Sequence, residues 1–325
     1  MKDIIKKMNF NFYYLLIAFL IVLSSCRTSD KEKIIIFHAG SLSVPFYHIS
    51  DEFKKENPDM DIFIEQSGSL AAARKITDLG KNCDILALAD HLIIDNIMYP
   101  DYAGWSYVFA SNEMIIAYNE KSKYANEINQ DNWHEILLKD GVRIGRSEPN
   151  LDPCGYRTLF VFMLAEKLYN KNGLADRLIE KENTVIRPKE VDLIALLETG
   201  NIDYLMIYKS VAIQHNLKIV NLPDEINLSN PEFESFYNSV STIVDGATQG
   251  EKLEITGSSI LYGFCIPFNC QNYDAAIKMA LFIINPEKGG RILKENGMMP
   301  VNFSDEKYKD NIPENLSETL THTGG

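Results

Sequence analysis

The sequence is short of the groups that carry covalent catalysis. It holds no Gly-x-Ser-x-Gly elbow, no His-Glu-x-x-His pair and no Gly-x-x-x-x-Gly-Lys loop. Its six histidines (His38, His48, His91, His134, His215 and His322) are scattered without metal-ligand spacing. Only five cysteines occur, and none forms a Cys-x-x-Cys pair. These absences favour a binding protein over an enzyme. Positive charge is also lacking: the formal net charge is −13. That argues against nucleic acid as a partner, which needs a broad basic surface. It leaves small anions open, because local N–H groups and helix dipoles decide their binding.

An apolar run over residues 10–23 is too short for a comfortable membrane span. Lys2, Lys6 and Lys7 precede it, and Leu23-Ser24-Ser25-Cys26 closes it. This pattern resembles a bacterial lipoprotein cleavage box, with residues 1–26 as signal peptide and Cys26 as the lipidated first residue of the mature chain. A polar tether over 27–33 follows. The expected location is the cell envelope, on the periplasmic or extracytoplasmic face. Export permits disulfides among Cys83, Cys154, Cys265 and Cys270. Buried free thiols are the expected state, with a Cys265–Cys270 bridge as the alternative.

The chain has 325 residues and is 46% hydrophobic, enough for one or two domains with sizeable cores. Short apolar runs at 33–37, 61–65 and 84–89 read as strands, and helical periods separate them. A second series begins with a helix at 133–139 and continues with strands at 142–145, 184–187 and 204–208. Long extended segments at 107–118 and 259–267 are expected to cross between two α/β lobes. The division is lobe I over 34–111 and 262–303, and lobe II over 112–261. Residues 224–258 read as irregular structure, and 304–325 as a loose polar tail. Two lobes joined by two crossings close around a ligand by hinge motion.

Four strand-to-helix junctions repeat one chemistry: Gly40-Ser41-Leu42, Gly68-Ser69-Leu70, Asp152-Pro153-Cys154 and Lys189-Glu190-Val191. In open α/β sheets, ligands bind beyond the carboxyl ends of the strands. Glycine lets backbone approach a ligand, serine supplies a hydroxyl donor, and a helix start supplies N–H groups. Asp152 suits an N-cap and Pro153 the first helical position. A carboxylate at this end of a helix nevertheless repels an anion. His38, close to the first junction, reads as a structural strand-end histidine.

Several stretches resemble the tungstate/molybdate-binding proteins of ABC importers. They include Ala39-Gly40-Ser41-Leu42-Ser43-Val44-Pro45-Phe46, Asn150-Leu151-Asp152-Pro153-Cys154-Gly155-Tyr156-Arg157, Ile186-Arg187-Pro188-Lys189 and Ser210-Val211-Ala212-Ile213-Gln214-His215. The resemblance runs over about residues 34–303. It implies a type II periplasmic-binding-protein fold with the ligand cleft between the lobes. It implies capture of tungstate or molybdate, without a cofactor, by a monomer that serves a permease in the inner membrane. A phosphate- or sulfate-type oxyanion binder on the same fold is the alternative.

By position, the resemblance places Ser41 and Ser69 as donors to the oxyanion, with the backbone N–H groups of Cys154 and Val191. It matches Tyr208 to a tyrosine aimed at the anion. It also implies that Asp152 and a glutamate just before the Tyr208 position approach the metal of the oxyanion. Here that second position is Ile207. Three arrangements follow. Asp152 adds a single ligand to the metal, or it caps its helix beside a four-coordinate anion, or it accepts a proton from another oxyanion such as phosphate. Ile207 tips the expectation toward the capping arrangement.

Overall fold

The computed structural model describes residues 32–246 and 250–320. The expected signal peptide, its Cys26 and most of the expected tether lie outside the described residues. Strands β1 (Glu32–Ala39), β2 (Met60–Ser67), β3 (Ile85–Leu88) and β4 (Tyr107–Ser111) open the chain. The next group is β5 (Met114–Tyr118), β6 (Ile144–Ser147), β7 (Val185–Arg187), β8 (Tyr204–Tyr208) and β9 (Lys218–Asn221). A hairpin, β10 (Ser241–Asp245) and β11 (Lys252–Thr256), precedes β12 (Leu261–Cys265) and β13 (Met299–Phe303).

Two mixed sheets result. One has the order β13-β4-β12-β3-β1-β2, the other β7-β6-β8-β5-β9. Each lobe of this type II periplasmic-binding-protein fold is built on one of them. The helical connections give parallel pairs, β1 with β3 and β6 with both β7 and β8. The crossing strands break that pattern. β4 and β5 are separated by two residues yet belong to different sheets, and β12 returns to the first sheet antiparallel to β3 and β4. Strand β3 is buried along its whole length, so its run reads Ile-Leu-Ala-Leu without alternation.

The segment expected to be irregular holds structure. Residues Pro231–Tyr237 form short helical turns, and β10 pairs with β11 from Ser241↔Thr256 to Asp245↔Lys252. Within that ribbon only Val244 and Ile255 are buried, which leaves too few inward positions to show a period of two. The expected loose tail is likewise partly docked. Helix Glu314–Leu320 buries Leu316, Tyr308 donates to Asp95 Oδ1 at 2.5 Å, and Tyr107 and Thr319 share a hydrogen bond of 2.8 Å. A seven-residue helix with one buried leucine gives no readable apolar stripe. The four cysteines among the described residues are free, so Cys265 and Cys270 are not bridged.

Candidate functional site

Three buried hydroxyl groups arrive from different junctions and are linked through shared neighbours, Ser69 and Tyr208 by Ala89 and Arg157, and Ser41 and Tyr208 by Tyr262. Ser41 lies in the 3-10 turn Gly40–Leu42 directly after β1, Ser69 opens helix Ser69–Thr77 after β2, and Tyr208 ends β8. Their exposures are 1%, 0% and 0%. Every one already accepts a hydrogen bond from the protein. Ser41 Oγ receives the Tyr262 hydroxyl at 3.0 Å, Ser69 Oγ the Ala89 N–H at 3.0 Å, and Tyr208 Oη the Arg157 Nη1 at 2.9 Å. A hydroxyl has one proton to give. With its lone pair engaged from behind, each of the three keeps that proton for another acceptor. Tyr262 is itself held by Asn112 Nδ2 at 3.2 Å, and its ring lies 5.9 Å from that of Tyr208.

Such hydroxyls are able to donate to an acceptor. Residues 34–299 match the model of the family described as bacterial extracellular solute-binding protein. The chain belongs to that family. It is 42% identical over 312 residues to an uncharacterized solute-binding protein of Petrotoga mobilis, covering 96% of this chain and 97% of that one. It is also 42% identical over 323 residues to the molybdate/tungstate-binding protein WtpA of Pyrococcus abyssi, covering 89% and 90%. In structure it is similar to the periplasmic molybdate-binding protein of Azotobacter vinelandii, with a TM-score of 0.60 at 16% identity, covering 82% of this chain and 98% of that one. The protein is thus an extracytoplasmic solute-binding protein and not an enzyme. Among the described residues no helix is long and apolar enough to cross a membrane.

The carboxylate at the third junction departs from the capping arrangement. Asp152 has the extended backbone of an N-cap, with φ −144° and ψ 128°, and Pro153 does begin the helix Pro153–Tyr169. Its side chain makes no cap hydrogen bond. Asp152 Oδ2 instead accepts the backbone N–H of Glu190 at 3.1 Å. The fourth junction is thereby tied to the third. Burial pushes the Asp152 carboxyl upward, against the pull of the Glu190 and Ser147 side chains and nearby N–H groups.

Glu190 is the residue that sequence reasoning passed over at its own junction. It is fully buried, and neither Oε1 nor Oε2 receives a donor from the protein. Burial first, then the charge of the neighbouring Asp152, push the Glu190 carboxyl well above the ordinary range. A Cβ on Gly40 would lie 3.1 Å from Glu190 Oε2, so glycine there leaves room for the carboxyl beside Ser41. The site therefore contains a second carboxyl group even though Ile207 stands where the resemblance expects a glutamate. Ile207 is fully buried in β8, where it pairs with Ile115. Two acidic residues at neighbouring junctions were the available signal.

The remaining candidate positions are buried or half-buried. Cys154 is buried at the second position of its helix, and burial raises its thiol well above the usual range. Val191 is half-buried within the 3-10 turn Glu190–Leu193, whose opening N–H groups have no partner inside the turn. His38 lies apart from this chemistry. Its Nδ1 bonds the Ala39 carbonyl at 2.8 Å and its ring packs 5.5 Å from Phe46.

Two arginines hold the lobes of this solute-binding protein together around the site. Arg157, from the second lobe, donates to the Ala89 carbonyl at 2.7 Å and pairs with Asp90 at 3.3 Å, both in the first. Tyr156 donates to the same Asp90 at 2.5 Å. In the reverse direction, Arg74 donates to the carbonyls of Asn150 at 3.0 Å and Asp245 at 2.5 Å. Gly68 permits the approach: a Cβ there would fall 2.1 Å from the Leu151 carbonyl oxygen.

Proposed function

We propose that this protein captures a tetrahedral oxyanion, tungstate or molybdate foremost, outside the cytoplasm and delivers it to an ABC permease. The observation that carries this reading is the trio of buried hydroxyls, Ser41, Ser69 and Tyr208, each engaged as an acceptor and left with a proton to donate. The backbone N–H groups of Cys154 and Val191 add donors from the second lobe. WtpA, a 42% identical relative covering nine-tenths of its own length, supports the choice of ligand.

No chemistry is needed beyond binding and closure. Neither serine has a histidine partner among the described residues, so neither is set up as a nucleophile. The protein works as a monomer without a cofactor, and a lipid on Cys26 keeps it at the membrane that carries its permease. Calorimetric titration with tungstate, molybdate, sulfate and phosphate tests the assignment. Tungstate and molybdate should bind tightly, and their displacement by micromolar sulfate or phosphate would overturn it. Mass spectrometry of the membrane-extracted protein checks for the acyl groups on Cys26.

A further inference from the structure

The link between the two sheets is short: β4 ends at Ser111, β5 begins at Met114, and Asn112 and Glu113 lie between them. Asn112 is buried, and its side-chain amide is engaged at both ends. Oδ1 accepts the backbone N–H groups of Glu113 at 3.0 Å and Ser210 at 3.4 Å. Nδ2 donates to the hydroxyls of Ser210 at 2.7 Å and Tyr262 at 3.2 Å. Backbone N–H groups can only donate, so these two set which end of the amide faces them. The amide N–H groups are left to face Tyr262. The Tyr262 hydroxyl accepts from Asn112 and passes its own proton to Ser41 Oγ at 3.0 Å. Ser41 then keeps its proton for an acceptor beyond. The row runs in one direction, from the crossing between the sheets to the serine, and aligned donors of this kind strengthen one another.

We propose that Asn112 is a positioning residue for oxyanion binding: through Tyr262 it commits the Ser41 hydroxyl to donate to the ligand. The inference rests on the oxyanion reading above and adds a residue in the crossing that sets the polarity of that site. A tyrosine and a serine hydroxyl in contact can share their hydrogen bond either way round, because each is both donor and acceptor. Reversed, Ser41 would give its proton to Tyr262 and turn lone pairs toward an anion. The Asn112 amide removes that choice by donating to Tyr262. Its own orientation is held by the backbone at the crossing and at the start of the helix after Tyr208.

The test is calorimetric titration of the full chain with molybdate, for the wild type, Asn112→Ala and Asn112→Asp, each with and without Tyr262→Phe. Asn112→Asp keeps the shape and the acceptor for both backbone N–H groups, but puts an acceptor where Tyr262 meets a donor. If Asn112 only held the crossing together, the aspartate would be tolerated better than alanine. The relay requires the opposite order. Asn112→Ala should weaken molybdate binding ~5-fold, the net worth of one hydrogen bond, and Asn112→Asp ~10-fold or more, as the carboxylate takes the Tyr262 proton. In the Tyr262→Phe background Asn112→Ala should cost less than ~2-fold, because the relay is already cut. There the Asn112→Asp loss should shrink to what its added charge alone contributes. A folded Asn112→Asp that binds molybdate better than Asn112→Ala, or as tightly as the wild type, would overturn the proposal. So would equal losses with and without the Tyr262 hydroxyl, and both results leave oxyanion capture intact. Failure of the wild type to bind molybdate would remove both readings.

Discussion

Asp152 receives the backbone N–H of Glu190 across 38 positions of sequence, at 3.1 Å, and this bond fixes the two acidic junctions of the second lobe against each other. Its acceptor is buried, so losing it strands a donor away from water. Asp152→Ala should lower stability by about 1–3 kcal/mol, the cost of one buried unpaired group. Asp152→Asn keeps an acceptor oxygen and should lose less. Urea denaturation of the ligand-free protein distinguishes them, and equal losses in both variants would mean that charge, not the hydrogen bond, sets the effect.

In the proposed site, Tyr262 would act on the ligand through Ser41, to which it donates at 3.0 Å. Removing its hydroxyl in Tyr262→Phe frees the Ser41 lone pair and lets the serine proton turn elsewhere. Ser41→Ala should weaken oxyanion binding by about 1–3 kcal/mol. Tyr262→Phe should weaken it by a fraction of that, and the double variant should lose little more than Ser41→Ala alone. Additive losses in that double-mutant cycle would show that the tyrosine binds independently of the serine.

Much of this site was legible in the sequence because its parts are local. A Gly-Ser pair after an apolar run announces a strand-to-helix junction wherever it occurs, and Ser41 and Ser69 both lie at such places. Partners far along the chain were not legible. Tyr262 reaches Ser41 over 221 positions and Arg157 reaches Ala89 over 68, and no local pattern encodes either. Asp152 misled for a related reason: its backbone obeys the N-cap rule while its side chain answers a tertiary donor. The parallel pairs of β6 with β7 and β8 followed from strand and helix alternation, whereas the antiparallel return of β12 depends on where the chain recrosses between lobes.

Ile207→Glu should not simply restore a ligand. Ile207 is fully buried within β8, paired with Ile115. A carboxyl buried there should destabilise the empty protein by about 3 kcal/mol or more. Thermal unfolding without ligand measures this. A melting temperature equal to that of the wild type would mean that the new side chain finds solvent or a partner.

Asp90 is held by two groups of the opposite lobe, Arg157 and Tyr156. Asp90→Ala leaves the Arg157 guanidinium buried without its counter-charge. Breaking a buried pair from one side costs about 3–5 kcal/mol, and here the cost falls on the closed form. The expected result is faster ligand release with little change in association, read by stopped-flow fluorescence, together with a more open ligand-bound particle in solution scattering. Unchanged release would place the closure energy elsewhere, with Arg74 the next group to test.

His38 makes stability depend on pH. Burial, the largest cause, lowers its pKa from 6.5 to about 4, against a raising hydrogen bond with Ala39 and helped by the Lys189 and Lys75 charges. Between those two values the unfolded chain takes up a proton that the folded chain refuses. Stability from this residue is therefore full above pH 6.5 and falls as the pH drops toward 4, by about 3 kcal/mol in all. The raised carboxyls of Asp152 and Glu190 act in the opposite sense, since the folded state binds their protons more tightly. His38→Asn retains a donor for the Ala39 carbonyl and cannot titrate. The difference between wild-type and His38→Asn unfolding free energies across pH 4–7 isolates the histidine. It should shift in favour of the variant as the pH falls, and parallel curves would show that His38 takes up its proton equally in both states.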